Sequence, residues 1–265
     1  MSLLRISHGY IHYDFIEVSE SDNDVLLVFL HEALGSIPQW REFPNQLCES
    51  LNLNGLIYER QGHGQSSPFA QTRGASYLHD YAFDEMTQVI GALIPEKTKL
   101  ILVGHSDGGT IALLFASRFT DKVKFCITLA AHVINETETI LGIEPALKAF
   151  EAKKLEKLRT FHGDKTNDLF YAWADTWRSE AFKNWNILDE LTSVSSPVLA
   201  LQGDADQYGT ERQLQLIERH INSPCKTKLL ASCGHHPHYD QPNNVVSEIK
   251  KFIHGLNKFE NNRLV

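Results

Sequence analysis

The apolar run Leu100-Ile101-Leu102-Val103, followed at once by Gly104-His105-Ser106-Asp107-Gly108, constrains this chain more than any other segment. The first four residues read as a buried strand, and Thr110 to Phe119 reads as the helix after the turn. A strand that gives way to a helix within so few residues has to reverse sharply. Side chains at the turn would then collide with the packed strand and helix. Gly104, Gly108 and Gly109 keep that space free. Such a turn holds Ser106 in a strained backbone conformation above the strand end and aims the Asp107 N–H from the helix N-terminus at the space beside the hydroxyl. Ser106 is therefore a candidate nucleophile, and the Asp107 amide a candidate donor to a developing oxyanion. A glycine-rich turn that merely contains a serine has the same pattern, so partners downstream decide between the two readings.

Those partners exist in a usable order. Val198-Leu199-Ala200-Leu201 is a second buried-strand run, and the polar loop Gln202-Gly203-Asp204-Ala205-Asp206 follows it. Either aspartate can supply a carboxylate. Thr227 to Leu230 reads as another strand, and Cys233-Gly234-His235-His236-Pro237-His238 lies between it and a helix over Asn243 to Ile253. His235, directly after the glycine, is the candidate general base, with His236 and His238 as competitors. Serine is a poor nucleophile until an imidazole takes its proton, and a buried carboxylate fixes the imidazole tautomer and stabilises the imidazolium. The three histidines do not read as a metal site, because Pro237 prevents a regular helix and no thiolates stand at short spacing.

The chain resembles an α/β-hydrolase-fold serine hydrolase from about Val25 to about Ile253. Phe29-Leu30-His31-Glu32-Ala33-Leu34-Gly35-Ser36 is similar to the family's His-Gly-x oxyanion loop, and Arg60-Gln61-Gly62-His63-Gly64-Gln65-Ser66 to its Arg-x-Gly-x-Gly-x-Ser segment. The Ser106 turn and the pair formed by Gly203-x-x-Asp206 and Gly234-His235 complete the likeness, and the segments around Glu32 and Tyr208 resemble a bacterial branch of the family. The resemblance implies Asp206 rather than Asp204 as the acid. It also implies Ala33 as the second oxyanion donor, beside Asp107. One departure stands out: Glu32 occupies the place where the family usually has glycine, and its β-carbon restricts the backbone there. A carboxylate with a structural role only is the favoured reading of Glu32; the other is a carboxylate that points into the site and disfavours anionic substrates.

Strands alternate with helical stretches, the pattern of an α/β fold with a mostly parallel, doubly wound sheet. Leu56-Ile57-Tyr58 and Phe125 to Leu129 supply further strands, and Arg5 to Glu17 with Val25 to Leu30 reads as the sheet edge. About sixty residues separate Ala131 from Val198, too many for one crossover helix. Residues 132–196 are expected to form an inserted helical cap on a core of residues 1–131 and 197–265, with helices over Glu144 to Leu158 and Asn167 to Ser179. A cap excludes water and shapes a pocket. Among the aromatic residues, Trp40, Trp173 and Trp177 are the expected substrate contacts.

A chain of 265 residues can bury a large single core, and its net charge of −8 argues against nucleic acid as a partner. The apolar runs are of strand length, so no membrane span is expected, and Met1 to Tyr13 has no apolar signal core. A cytoplasmic location follows as the default. Cys48, Cys126, Cys225 and Cys233 form no Cys-x-x-Cys pair and read as free thiols. The chemistry needs no metal or organic cofactor, and the expected partner is a small-molecule substrate; nothing in the pattern specifies an oligomeric state. The fold hosts several reactions. Hydrolysis of a small carboxylic ester or thioester through an acyl-enzyme ranks first. Carbon–carbon bond hydrolysis of ring-fission products ranks second, since His236 stands where those enzymes tend to have an aromatic residue. A small-molecule sensor or catalytically idle protein on the same fold is the alternative of another class.

Overall fold

Alternate residues of the central strands feed two separate cores, which is why helices must cover both faces of the sheet. The computed structural model describes residues 2–19 and 24–261 of the chain, with side chains through residue 256. Its strands are β1 (Ser2–Ile6), β2 (Gly9–Ile16), β3 (Val25–Leu30), β4 (Gly55–Glu59), β5 (Lys99–His105), β6 (Val123–Leu129), β7 (Val198–Gly203) and β8 (Cys225–Leu230). They form one sheet in the order β1-β2-β4-β3-β5-β6-β7-β8. β2 runs antiparallel to β1 and β4, and every later pairing is parallel.

Leu27, Phe29, Ile101, Val103, Leu199 and Leu201 pack on one face, under α1 (Phe43–Leu51) and the last helix. Val28, Leu100, Leu102, Cys126, Val198 and Ala200 pack on the other. That second face is covered by α2 (Tyr77–Asp80) and α3 (Met86–Leu93), joined through a π-helical turn at Tyr81–Glu85, and by α4 (Asp107–Arg118). Between β6 and β7 run α5 (Thr137–Glu151), α6 (Leu158–His162), α7 (Thr166–Arg178) and α8 (Leu188–Leu191). α9 (Arg212–His220), α10 (Pro237–Asp240) and α11 (Pro242–Asn261) complete the chain.

Two expectations need correction. Val25 to Leu30 is not an edge strand: β3 lies between β4 and β5, and all six of its residues are buried. Its unbroken apolar run is what a parallel strand covered on both faces requires. The edge is instead the β1–β2 hairpin, since Arg5 to Glu17 is broken by a turn at Ser7 and His8. The first inserted helix also starts earlier than its apolar spacing indicates and ends at Glu151, where Lys153 takes a left-handed conformation with φ 57°. Residues 1, 20–23 and 262–265 of the expected core lie outside the described residues. Among the described residues, no helix is long and apolar enough to cross a membrane.

Parallel β3, β5, β7 and β8 all end on the same side of the sheet. The loops after them carry Glu32 and Ala33, Ser106, Asp206, and His235 respectively, and share a cavity with residues of α5 and α7. In open α/β sheets this is where ligands bind.

Candidate active site

Ser106 sits between β5 and α4 with φ 53° and ψ −120°, a conformation that a residue with a side chain adopts only under constraint. The constraint is packing from both sides. A β-carbon on Gly104 would lie 2.1 Å from the Gly108 carbonyl oxygen, and one on Gly108 would lie 1.9 Å from the Leu30 carbonyl oxygen. The Ser106 N–H is tied to the Leu129 carbonyl at 2.9 Å, and its own carbonyl accepts from Gly109 and Thr110 at the start of α4.

Three side chains from three loops meet here. The Ser106 hydroxyl donates to His235 Nε2 at 3.0 Å, and His235 Nδ1–H donates to Asp206 Oδ1 at 2.8 Å. Asp206 also accepts from the Tyr208 N–H at 2.9 Å. Burial raises the Asp206 carboxyl, but the charge and hydrogen bond of His235, with help from His132 and Tyr208, hold it below the ordinary carboxylate range. The carboxylate is thus ionised beside an imidazole whose tautomer it fixes. Asp204 points elsewhere and accepts from the Cys233 N–H at 3.2 Å. His236 stacks on Tyr239, and burial among other histidines holds it down at about 4. His238 is packed against Trp40 and Tyr239, and burial lowers it well below the usual imidazole value. Neither competing imidazole reaches Ser106. Burial pushes the Cys233 thiol up to about 11, so it stays protonated at neutral pH. Among the described residues, no three histidine, cysteine, aspartate or glutamate side chains converge in a metal-ligating arrangement.

The loop after β3 shows why the Arg60-to-Ser66 segment accompanies it. Arg60 is fully buried and donates to the carbonyls of His31 at 2.5 Å and Glu32 at 2.9 Å. His63 Nε2 pairs with the Ala33 carbonyl at 3.0 Å, and His162, from α6, pairs with the Leu34 carbonyl at 2.9 Å. Four consecutive carbonyls are therefore held by side chains from other segments, which fixes the course of the loop. No described acceptor meets either the Ala33 or the Asp107 N–H. Both residues border the same cavity as Ser106.

That cavity, of about 1030 Å³, extends from Ser106 beneath α5 and α7. Trp173 and Trp177, expected from the sequence to contact substrate, border it. Trp40 does not, and its expected substrate contact is withdrawn. The turn at Ile37–Trp40 directs its ring into the opposite core, stacked on Phe43 at 6.0 Å and edge-on to Phe29. Glu32 also departs from its favoured reading, because it lines the cavity beside Ser106 as well as accepting from the Leu34 N–H at 2.7 Å.

Three participants carried no local signal. His132, the first residue expected in the cap, borders the cavity and lies 5.9 Å from the His235 ring. Tyr208 packs edge-on against His235 at 4.8 Å. Tyr77 donates from its hydroxyl to Asp107 Oδ2 and accepts from Trp177 Nε1, both at 2.8 Å. This chain of bonds ties the cavity wall on α7 to the residue after Ser106.

The Alpha/beta hydrolase family matches residues 27–249 of the chain. A Haemophilus influenzae protein that carries an esterase/lipase name is 22% identical over 269 residues, covering 94% of this chain and 90% of that protein. A carboxylesterase structure from the thaumarchaeon Nitrososphaera gargenis superposes with a TM-score of 0.77 at 18% identity, covering 97% of this chain and 99% of the other. The enol-lactonase of Burkholderia xenovorans superposes with a TM-score of 0.74 at 14% identity, covering 95% and 99%.

Proposed function

The chain belongs to the alpha/beta hydrolase family, and from that premise we propose that it is a serine hydrolase of small carboxylic esters or thioesters, working through an acyl-enzyme. The observation that carries this reading is the unbroken hydrogen-bond chain from Asp206 through His235 to Ser106. Ester chemistry is favoured by the esterase/lipase name of the Haemophilus relative and by the carboxylesterase fold match.

In this reading Ser106 Oγ attacks the carbonyl carbon while His235 Nε2 takes the hydroxyl proton, and Asp206 holds the imidazolium that forms. The oxygen that becomes negative is received by the Ala33 and Asp107 amides. The tetrahedral intermediate collapses, His235 returns the proton to the departing alcohol or thiol, and the acyl group stays on Ser106. Water then enters, gives its proton to His235 and attacks the acyl carbon, releasing the acid and restoring the serine. Residues 132–196 act as a cap on a core made of residues 1–131 and 197–265. Within that cap Trp173 and Trp177 contact the substrate and keep bulk water out.

Turnover of p-nitrophenyl esters by wild type and Ser106→Ala tests the proposal. The expected result is normal far-UV circular dichroism with hydrolysis reduced to background. Hydrolysis by a folded Ser106→Ala within about tenfold of wild type, far less than the loss of a nucleophile costs, would remove Ser106 from the mechanism.

A further inference from the structure

Glu32 is the residue of the cavity that this reaction does not use, and its position is awkward for it. It stands one residue before Ala33, in the loop that receives the oxyanion, and borders the same space as Ser106, Asp107 and His235. One oxygen, Oε2, is engaged by the Leu34 N–H. Oε1 has no donor among the described residues and is not sealed into the core.

Burial raises the Glu32 carboxyl above its ordinary range, the Leu34 N–H and the charge of His235 pull it back, and no side chain among the described residues donates to it, so a cation beside it would favour its ionised form. The Asp206 carboxylate has His235, and the Asp107 side chain has the Tyr77 hydroxyl. Arg60 donates from its guanidinium to backbone carbonyls, and no lysine or arginine is among the described residues that line the cavity. A carboxylate in a largely apolar pocket, close to where negative charge develops on a carbonyl oxygen, opposes that charge more strongly than it would in water. A second negative charge on the substrate would add to the penalty. A positive charge on the substrate, near the scissile carbonyl, would remove it and give Oε1 the donor it lacks.

Resting on the serine-hydrolase reading, we infer that Glu32 is a specificity-determining residue that binds a substrate ammonium through its open Oε1, so that the preferred substrates are esters or thioesters bearing a basic nitrogen. The Leu34 N–H orients the carboxyl for this, and the acidic Glu138 and Glu211 on the cavity lining extend the same preference outward. Anionic acyl groups are rejected by the same carboxylate that accepts cationic ones.

Two isosteric pairs test it, since the charge can sit on either side of the ester. The p-nitrophenyl esters of β-alanine and butyrate place the ammonium on the acyl side, and S-2-(dimethylamino)ethyl thioacetate, which carries an N–H when protonated, against S-3-methylbutyl thioacetate places it on the leaving side. The succinate monoester serves as the anion. All are measured with wild type and Glu32→Gln, which keeps an acceptor for Leu34, and Ser106 labelling by an uncharged fluorophosphonate is followed in both proteins. In wild type, kcat/KM for the ammonium member of at least one pair exceeds its neutral isostere by about tenfold, the scale of one charge-assisted bond. The succinate ester lags butyrate by a similar factor. Glu32→Gln brings both ratios to within about twofold of unity. Unchanged ratios with Ser106 still labelled overturn the role of Glu32 alone. Loss of labelling in both proteins overturns the nucleophile assignment, and this inference with it.

Discussion

Replacing Gly108 by alanine tests how closely the reaction geometry depends on packing beneath the nucleophile. The added β-carbon would lie 1.9 Å from the Leu30 carbonyl oxygen, 2.4 Å from its carbon and 2.6 Å from the His31 carbonyl oxygen. All three are backbone atoms, so no side-chain rotation relieves the clash. Ordinary contact begins at 3.4 Å, so α4 and the end of β3 must part by 3.4 − 1.9 = 1.5 Å. The parting pulls the Asp107 amide on α4 away from the Ala33 amide just beyond β3, and these are the two donors assigned to the oxyanion. A misplacement of about 1 Å can cost ~10²-fold in rate, and overpacking costs about 1–3 kcal/mol of stability. We expect kcat on p-nitrophenyl butyrate to fall by at least ~10²-fold, and the thermal midpoint to fall by roughly 2–5 °C for a chain of this size. Gly91→Ala is the control, because nothing lies within 4 Å of a β-carbon built on that residue of α3. It should leave kcat unchanged and raise stability by about 0.5–1 kcal/mol. A Gly108→Ala enzyme within about threefold of wild type, with an unaltered midpoint, would refute the claim that this contact sets the donor geometry.

Asp206→Asn is expected to lower kcat by roughly 10³–10⁴-fold, whereas Asp204→Asn keeps its acceptor for Cys233 and should change it by less than about threefold. Reversed ranking in steady-state kinetics would move the acid to Asp204. Glu85 gives a prediction for stability against pH. Burial pushes its carboxyl up to about 8; one oxygen accepts from the Gln61 N–H, and the other is buried without a partner. Between its ordinary value of 4.5 and about 8 the folded chain holds a proton that the unfolded chain has released. The contribution of this group is therefore complete below 4.5 and is lost as pH rises toward 8, with a slope of ~1.4 kcal/mol per pH unit. Glu85→Gln should gain on wild type in urea midpoint at alkaline relative to acidic pH, and equal differences at both would contradict the burial argument.

The turn around Ser106 was legible because its requirements are local. Glycines flank the serine where two backbones touch, and an apolar strand and a helix lie directly on either side. Asp206 and His235 were legible as residues of loops that follow buried strands, but choosing Asp206 over Asp204 needed the family resemblance. What escaped was set by contacts between distant segments. Trp40 has the same composition signal as Trp173, yet a short turn sends it into the core, while helix α7 sends Trp173 into the cavity. The clasp of Arg60, His63 and His162 on the Ala33 loop joins three segments, and the Trp177–Tyr77–Asp107 chain joins three more. No periodicity in one stretch of sequence encodes such meetings. The unbroken apolar run of β3 did carry its answer, since a strand buried on both faces belongs inside a parallel sheet.

The central claim is that Ser106 is a nucleophile activated by His235. Its most direct measurement is reaction of the intact protein with a fluorophosphonate, followed by peptide mapping of the adduct in wild type and in His235→Ala. The account predicts one stoichiometric phosphonyl group on Ser106 in wild type and labelling slowed by orders of magnitude in the folded variant. A folded wild-type protein that stays unlabelled, or an adduct on another side chain, would contradict it.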